Sequence, residues 1–419
     1  MANKTPSVRL SATAAIFAAI LFTVSTLAAA QTESVIHSFA DRNKGPYGPV
    51  GGLIFDGSGN LYGVTQNGGT NNSGTVFEFS PTTGGGWSQK TLHNFDYNGT
   101  DGVSPFGGLV MDTAGNLYGT TYVGGANDAG VVYELVKQAG GGWRERILHN
   151  FNKTGTDGQW PEAGLAIDAA GNLYGTTVAG GVRNRTCDVG CGTIFELSPS
   201  GGGWKEKILY AFPSDGNGGF GANCAPIFDS AGNLYGTAGN GGAYNYGTVW
   251  QLVPTTSGMW TENNLYNFDN TGIGGYTPTG TLVFDSAGNL YGPTTNGGTW
   301  GTGTIFKLSP AGGGVWNASW LYSFNGNTGD GTFPNGNLIF DASGNLYGTA
   351  LHGGSSGWGM AFELTPATGA WTETVLTGFN VTNGASPQGG MLFDSAGNLY
   401  GITSAGGSFG GGTLYEITP

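Results

Sequence analysis

The sequence has few charged side chains, and those it has are mostly acidic. Among 419 residues, 14 lysines and arginines stand against 27 aspartates and glutamates, which gives a formal net charge of −13. No basic run is present, and a chain with this charge is repelled by nucleic-acid phosphates and by anionic membrane surfaces. We therefore expect no nucleic-acid partner.

Long hydrophobic runs are absent outside the first 30 residues. Lys4 and Arg9 precede an apolar run from Ala14 to Phe22, and Ala28-Ala29-Ala30 follows. This order of charged, apolar and small residues is typical of a secretory signal peptide, and the run is shorter than the roughly 20 residues of a membrane span. We predict a signal peptide over 1–30, cleaved near Ala30, and a secreted or periplasmic protein without a membrane span after cleavage; a retained anchor is the alternative.

A sustained 3.6-residue apolar period is also lacking, as is a three-residue glycine period, which argues against helical and collagen-like folds. Glycine itself is abundant, with 83 residues, and 12% of the chain is aromatic. So much apolar area excludes a disordered chain. Many short strands joined by glycine-rich turns are the remaining class.

One pentapeptide, Gly-Asn-Leu-Tyr-Gly, occurs seven times. Its asparagines are Asn60, Asn116, Asn172, Asn233, Asn289, Asn345 and Asn398, with spacings of 56, 56, 61, 56, 56 and 53 residues. Each copy contains four strand-like segments, A to D, bounded by Gly, Pro, Asn and Asp. Radially repeated four-stranded antiparallel sheets form a β-propeller.

The two ends of the repeat array are complementary. The seventh copy lacks a segment D, whereas Val35–Phe39 at the start of the array matches segment D elsewhere. We predict an all-β, seven-bladed propeller over 31–419, a single domain whose N-terminal strand completes the last blade. The predicted blades are 51–96, 107–152, 163–213, 224–269, 280–325, 336–380, and 389–419 with 33–40.

The repeat string itself resembles a known family. Asp112–Thr121 and Asp168–Thr177 carry Asp-x-x-Gly-Asn-Leu-Tyr-Gly-Thr-Thr, and Gly-Gly and Gly-Thr-Val-Phe-Glu strings follow in the repeat. This pattern is similar to the GloVer-type tandem repeats of exported bacterial proteins, over essentially the whole mature chain. The resemblance implies an exported, repeat-built protein and brings no catalytic residues. The pattern is also loosely similar to propeller repeats of sugar-lactone hydrolases.

The loops between D and A and between B and C differ among copies and share one face, so we expect a ligand there. The residue after the proline that precedes strand A should ring the channel mouth, and this ring is Val50, Phe106, Glu162, Cys224, Thr279, Asn335 and Gln388. Aromatic residues stand nearby at Tyr47, Trp160, Phe220, Tyr276 and Phe333. Aromatic and amide groups suit a glycan or a protein ligand; the alternative is that these rings only pack the blade tops together.

Cysteine and histidine are scarce. Export permits disulfides, and Cys187–Cys191 or a bridge from either residue to Cys224 is consistent with the spacing. His37, His93 and His149 share one position on strand D of separate blades, so they cannot converge on one ion. We expect no metal, no cofactor and a monomer.

These observations favour an exported, non-catalytic binding or scaffold protein. A lactonase-like hydrolase or lyase, metal-assisted or not, acting at the channel mouth through Glu162, Asn223, Asn335 and Gln388 is the first alternative. A purely structural envelope protein is the second.

Overall fold

The computed structural model describes residues 31–42, 44–183, 187–213, 218–271, 273–327, 329–368 and 370–418. Within these ranges the regular structure is β-strand, and no helix is present. Gln31–Pro419 groups into one compact unit. The predicted signal peptide, 1–30, lies outside the described residues.

The strands form seven antiparallel blades, numbered in chain order after the first strand, β1 (Thr32–Ser38). Blade 1 contains β2 (Tyr47–Phe55), β3 (Leu61–Asn67), β4 (Thr75–Pro81) and β5 (Trp87–Asn94). Blade 2 contains β6 (Gly102–Pro105), β7 (Val110–Met111), β8 (Leu117–Gly124), β9 (Val131–Lys137) and β10 (Trp143–Asn150). Blade 3 contains β11 (Gly158–Gln159), β12 (Ala166–Ile167), β13 (Leu173–Thr177), β14 (Ala179–Gly180), β15 (Thr193–Ser200) and β16 (Gly203–Ala211).

The remaining blades repeat this plan. Blade 4 contains β17 (Gly219–Phe220), β18 (Ile227–Phe228), β19 (Leu234–Ala238), β20 (Asn240–Gly241), β21 (Thr248–Pro254) and β22 (Trp260–Asn267). Blade 5 contains β23 (Gly275–Pro278), β24 (Val283–Phe284), β25 (Leu290–Gly297), β26 (Thr304–Gly312) and β27 (Val315–Ser323). Blade 6 contains β28 (Gly331–Pro334), β29 (Ile339–Phe340), β30 (Leu346–Gly353), β31 (Met360–Ala367) and β32 (Ala370–Gly378). Blade 7 contains β33 (Ala385–Phe393), β34 (Leu399–Ala405), β35 (Thr413–Thr418) and β1.

The ring is closed by the first strand of the chain. Strand β1 pairs antiparallel with β35, with Thr32 opposite Thr418 and Val35 opposite Tyr415. The sheet order of blade 7 is therefore β1-β35-β34-β33. The prediction of a seven-bladed propeller closed in this way is confirmed.

The hydrophobic core lies between the blades. Buried side chains form seven clusters, each made by two neighbouring blades. In the cluster between blades 1 and 2, for example, Tyr62 and Val76 pack with Leu117 and Tyr133. Each sheet buries both faces against its neighbours, which a single sheet could not do alone.

Strand A, the innermost strand, is interrupted in the middle of blades 2 to 6 and bulged in blades 1 and 7. The interruption is rich in glycine because the inner backbones of adjacent blades touch there. A Cβ on Gly51 would lie 2.5 Å from the amide nitrogen of Gly108 in the next blade. Gly51 also has a φ of 77°, which glycine adopts without strain.

Candidate functional site

One face of the propeller carries the D–A and B–C loops, and we call it the loop face. The two kinds of loop are joined by backbone hydrogen bonds between neighbouring blades. The amide of Ser104 donates to the carbonyl of Ser73, and that of Trp160 donates to the carbonyl of Ala129. This fixes the segment that leads into each strand A against the preceding blade, so the residues that follow it are held in place.

A cavity of about 680 Å³ opens among the inner strands, and all seven blades contribute to its lining. Five of the predicted ring residues line it: Phe106, Glu162, Cys224, Asn335 and Gln388. Thr279 lines it as well, whereas Val50 is only 2% exposed and packs in the core between blades 1 and 2.

The strand register changes one predicted ring position. Ile227 pairs with Tyr235 in blade 4 as Val283 pairs with Tyr291 in blade 5. Counting back from these pairs, Asn223 in blade 4 is equivalent to Thr279 in blade 5. The ring residue of blade 4 is therefore Asn223, which is exposed, and Cys224 is the buried residue after it. Cys224 lines the cavity together with Asn223, and Ala222 occupies the position that holds a proline in the other six blades.

The five aromatic residues predicted near the channel mouth do not line the cavity. Each is half-buried and precedes the ring residue of its blade in the chain. Trp160 lies 6.0 Å from Tyr122, Phe333 lies 5.9 Å from His352, and Tyr276 lies 5.0 Å from Tyr246, between ring centroids. Phe220 packs against the core between blades 3 and 4. Tyr47 opens strand β2 opposite Asn67. Their role in ligand binding stays a prediction.

Two residues of the cavity lining have side-chain oxygens without partners. Oγ1 of Thr279 and Oδ1 of Asn335 are buried and have no hydrogen-bond partner in the protein. Among the described lining residues Glu162 is the one carboxylate, and burial raises its pKa.

The loop face also exposes aromatic side chains that sequence reasoning missed. They lie in the B–C loops of four consecutive blades and are largely exposed: Tyr244 (58%), Trp300 (61%), Trp358 (48%) and Phe409 (61%). In blades 1 and 2 the fourth position of the loop holds Asn71 and Asn127, whose side-chain amides donate to the carbonyls of Phe95 and Phe151. The aromatic residues that follow the Gly-Gly pairs of these blades are visible in the sequence, but the sequence does not show that their side chains are exposed.

The B–C loop of blade 3 is closed by a disulfide between Cys187 and Cys191. Cys224 is a buried free thiol, and burial raises its pKa. Of the pairings that the sequence leaves open, the structure contains the local one.

His93 and His149 lie in separate clusters, each with its own aspartate and glutamate. His37, at the same strand position, instead packs against Phe39 and Phe79. The three histidines therefore belong to three different environments. Burial lowers the pKa of His37.

The fold and its loop face define this protein as a seven-bladed, repeat-built β-propeller. The chain belongs to the Gloeobacter/Verrucomicrobia repeat family, whose pattern matches residues 18–223, 85–299 and 222–419. No curated protein matches the chain in sequence.

Solved structures with the same architecture are distant in sequence. The extracellular domain of a protein from B. thetaiotaomicron assigned as a hybrid two-component system is 12% identical, with a TM-score of 0.53. The match covers 90% of this chain but 39% of that one, so this chain spans well under half of its relative. A protein from Bacteroides uniformis assigned as a 6-phosphogluconolactonase is 14% identical over 84% of this chain and 89% of that one, with a TM-score of 0.49. The similarity to the B. thetaiotaomicron domain, at 12% identity, concerns the fold alone.

Across the described parts of the chain, no helix is long and apolar enough to cross a membrane.

Proposed function

We propose that this protein is an exported oligosaccharide-binding propeller whose ligand lies on the loop face, over blades 4 to 7 and the cavity mouth. The observation that carries the proposal is the set of exposed aromatic side chains in the B–C loops of these four blades. Exposed aromatic rings on a rigid frame offer flat apolar surfaces on which sugar rings stack.

The charge of this face favours an uncharged ligand. In blades 4 to 7 the B–C loops that carry the aromatics contain no lysine, arginine, aspartate or glutamate. The cavity below adds the neutral hydrogen-bonding groups of Asn223, Thr279, Asn335 and Gln388 beside a single carboxyl group, that of Glu162. Aromatic surfaces combined with amides and hydroxyls match the alternating apolar faces and hydroxyl edges of a neutral glycan better than a charged peptide.

Export is part of the same proposal, and it rests on the residues of the predicted signal peptide. An extracellular location suits a glycan-binding protein, because polysaccharides of walls, capsules and biofilms lie there. The disulfide between Cys187 and Cys191 is consistent with an oxidising compartment.

The test is a glycan array followed by titration of the strongest neutral oligosaccharide. We expect the Trp300→Ala/Trp358→Ala double variant to bind about 5- to 150-fold more weakly, since each stacked ring contributes about 0.5–1.5 kcal/mol. Met259→Ala is the matched control, because Met259 is 66% exposed in the C–D turn on the opposite face. An array without any binding, or equal affinity of the double variant, would refute the proposal; capture of a protein instead of a glycan would reassign the ligand class.

A second candidate, hydrolysis at the channel mouth, rests on Glu162. Its carboxyl is partly buried at the cavity with a raised pKa, which suits a general acid or base. Turnover of lactones or glycans that disappears in Glu162→Gln, with binding retained, would support this candidate over simple binding.

A further inference from the structure

Each outer strand D carries a β-bulge followed by a side chain that meets the next blade. In β5 and β10 the residue after the bulge is His93 and His149. Across the interface, strand D of the next blade places Glu145 opposite His93 and Glu206 opposite His149. The D–A loop adds Asp101 to the first group and Asp157 to the second. The same His-Asp-Glu set therefore occurs twice, between blades 1 and 2 and between blades 2 and 3.

The two sets have nearly the same geometry. Nε2 of His93 lies 3.2 Å from Oδ2 of Asp101 and 3.6 Å from Oε1 of Glu145. Nε2 of His149 lies 3.4 Å from Oδ1 of Asp157 and 3.6 Å from Oε2 of Glu206. In both sets the histidine, aspartate and glutamate side chains are 19%, 9% and 16% exposed. Ligands at about 2.0–2.1 Å from a tetrahedral metal ion are about 3.3–3.4 Å apart, which lies within the observed range.

The aspartates are held in place by the backbone. The amides of Asp96 and Gly102 donate to the two carboxylate oxygens of Asp101. The amides of Asn152 and Gly158 do the same for Asp157. Hydrogen bonds of this kind orient metal-binding carboxylates in proteins.

Each set places two carboxyl groups against one imidazole in a largely buried position. Oε1 of Glu145 and of Glu206 is buried without a hydrogen bond, as is Oε1 of Glu33 and of Glu373 at the equivalent position of two other interfaces. Three other blade interfaces place a proton donor against the equivalent glutamate, and at one of them the hydroxyl of Tyr210 donates to Glu262. The hydroxyl of Tyr322 donates to Glu373, and the amide of Asn383 donates to Glu33. The histidine sets lack such a donor for the glutamate, and a divalent cation would neutralise both carboxylates.

We propose that each His-Asp-Glu set binds one divalent first-row transition-metal ion, with His93, Asp101 and Glu145 at one site and His149, Asp157 and Glu206 at the other. One imidazole nitrogen and two carboxylate oxygens suit zinc and its neighbours in the series. Water completes the coordination. Because each site takes its ligands from strand D of two adjacent blades and the loop between them, the ions clamp blades 1, 2 and 3 together.

Zinc ions alone are the probe. The full mature chain, treated with EDTA and then freed of it, is titrated with Zn²⁺ in a calorimeter, and bound metal is counted after dialysis. We expect two zinc ions per chain and a higher unfolding temperature with zinc than without. His93→Tyr and His149→Tyr should each bind one ion fewer, and the double variant should bind none and lose the zinc-dependent rise.

The tyrosine substitutions are chosen because the chain already contains this arrangement. Tyr322, Asp330 and Glu373 occupy the equivalent positions between blades 5 and 6, so a tyrosine is compatible with the fold there. His37→Tyr is the matched control and should leave two ions bound, since Gly45 and Gln89 stand at the positions of the aspartate and glutamate. Unfolding curves in EDTA show whether each variant is folded.

The reverse change provides an independent test. Tyr322→His should create a third site with Asp330 and Glu373 and raise the count from two ions to three. The proposal is overturned if the wild type binds no zinc. In that case protonation alone neutralises the carboxylates. It is also overturned if the double tyrosine variant, folded in EDTA, still binds two ions.

Discussion

At the residue scale, the aspartate three residues before each repeated pentapeptide is hydrogen-bonded to the asparagine and tyrosine of that pentapeptide. In the first copy, Oδ1 of Asp56 accepts hydrogen bonds from the amides of Ser58 and Asn60, and Oδ2 accepts from the side chain of Asn60 and the hydroxyl of Tyr62. The same aspartate contacts recur in the other six copies. The aspartates therefore serve as Asx-type turns between strands A and B.

The final glycine of the pentapeptide makes room for an aromatic ring. A Cβ on Gly63 would lie 2.5 Å from Cζ of Phe77 on the neighbouring strand. We expect Gly63→Ala to lower the free energy of unfolding by about 1–3 kcal/mol, because the ring has to shift within a packed core. Guanidinium unfolding measures it.

Gly57→Ala is the control for this change, because a Cβ there meets nothing within 4 Å and the residue lies in an exposed turn. It should change the unfolding free energy by less than about 0.5 kcal/mol. Equal effects of the two substitutions would contradict the packing explanation.

At the scale of strands, contacts between the outer strands D vary from one blade interface to the next. The interface of blades 4 and 5 is apolar, with Tyr266 and Trp320 at 6.4 Å between ring centroids. The interface of blades 5 and 6 is polar, with Tyr322 donating to Glu373 near Asp330. The same blade architecture therefore accommodates apolar contacts at one interface and polar contacts at another, because strand D lies at the periphery of the ring.

The polar interface of blades 5 and 6 should make stability depend on pH. Burial, followed by the charge of Asp330, raises the pKa of Glu373 from 4.5 to about 7, and the hydrogen bond from Tyr322 partly offsets this. The folded protein thus keeps a proton that the unfolded chain releases, and this contribution to stability is lost as pH rises from about 4.5 to about 7.

Glu373→Gln removes this titration. We expect its melting temperature, relative to the wild type, to be higher at pH 8 than at pH 5 by roughly 2 °C or more. Gln89 at the equivalent position of blade 1 shows that an amide is accommodated there. Melting curves in EDTA at several pH values measure the difference, and a constant offset between the two proteins would argue against a raised pKa.

At the scale of the whole molecule, the ring depends on one strand from the start of the chain. Thr32 and Thr418 are paired in blade 7, and paired Cα atoms in antiparallel strands are about 4.5–5.5 Å apart. Disulfides form at such distances. Thr32→Cys/Thr418→Cys should cross-link under mild oxidation and stabilise the fold by at most about 5 kcal/mol.

Ser88→Cys/Thr418→Cys is the control, since Ser88 has the same place in strand D of blade 1 but pairs with Ser80. It should not cross-link within the chain. Non-reducing electrophoresis separates the two results. Cross-linking of the control, or none in the first pair, would contradict the closure.

Much of the fold, but less of the candidate site, could be predicted from the sequence. The blade count and the closing strand follow from the spacing of one motif and from Val35–Phe39. The equivalent ring position in blade 4 is one residue earlier than predicted, because Ala222 replaces the proline used as a marker, although Cys224 still lines the cavity. Val50 shows the other limit, since an equivalent position in the ring can be buried in one blade and open in another.

The sequence by itself determined the number of blades, the order of their strands and the aspartate turns, because each depends on neighbouring residues or on a repeated spacing. Only the tertiary structure decided which groups meet across blade interfaces. Nothing near His93 in the chain indicates that Glu145, 52 residues later, lies 3.6 Å away. Such contacts arise from the packing of one blade against the next, as does the exposure of Trp300 and Trp358 on the loop face.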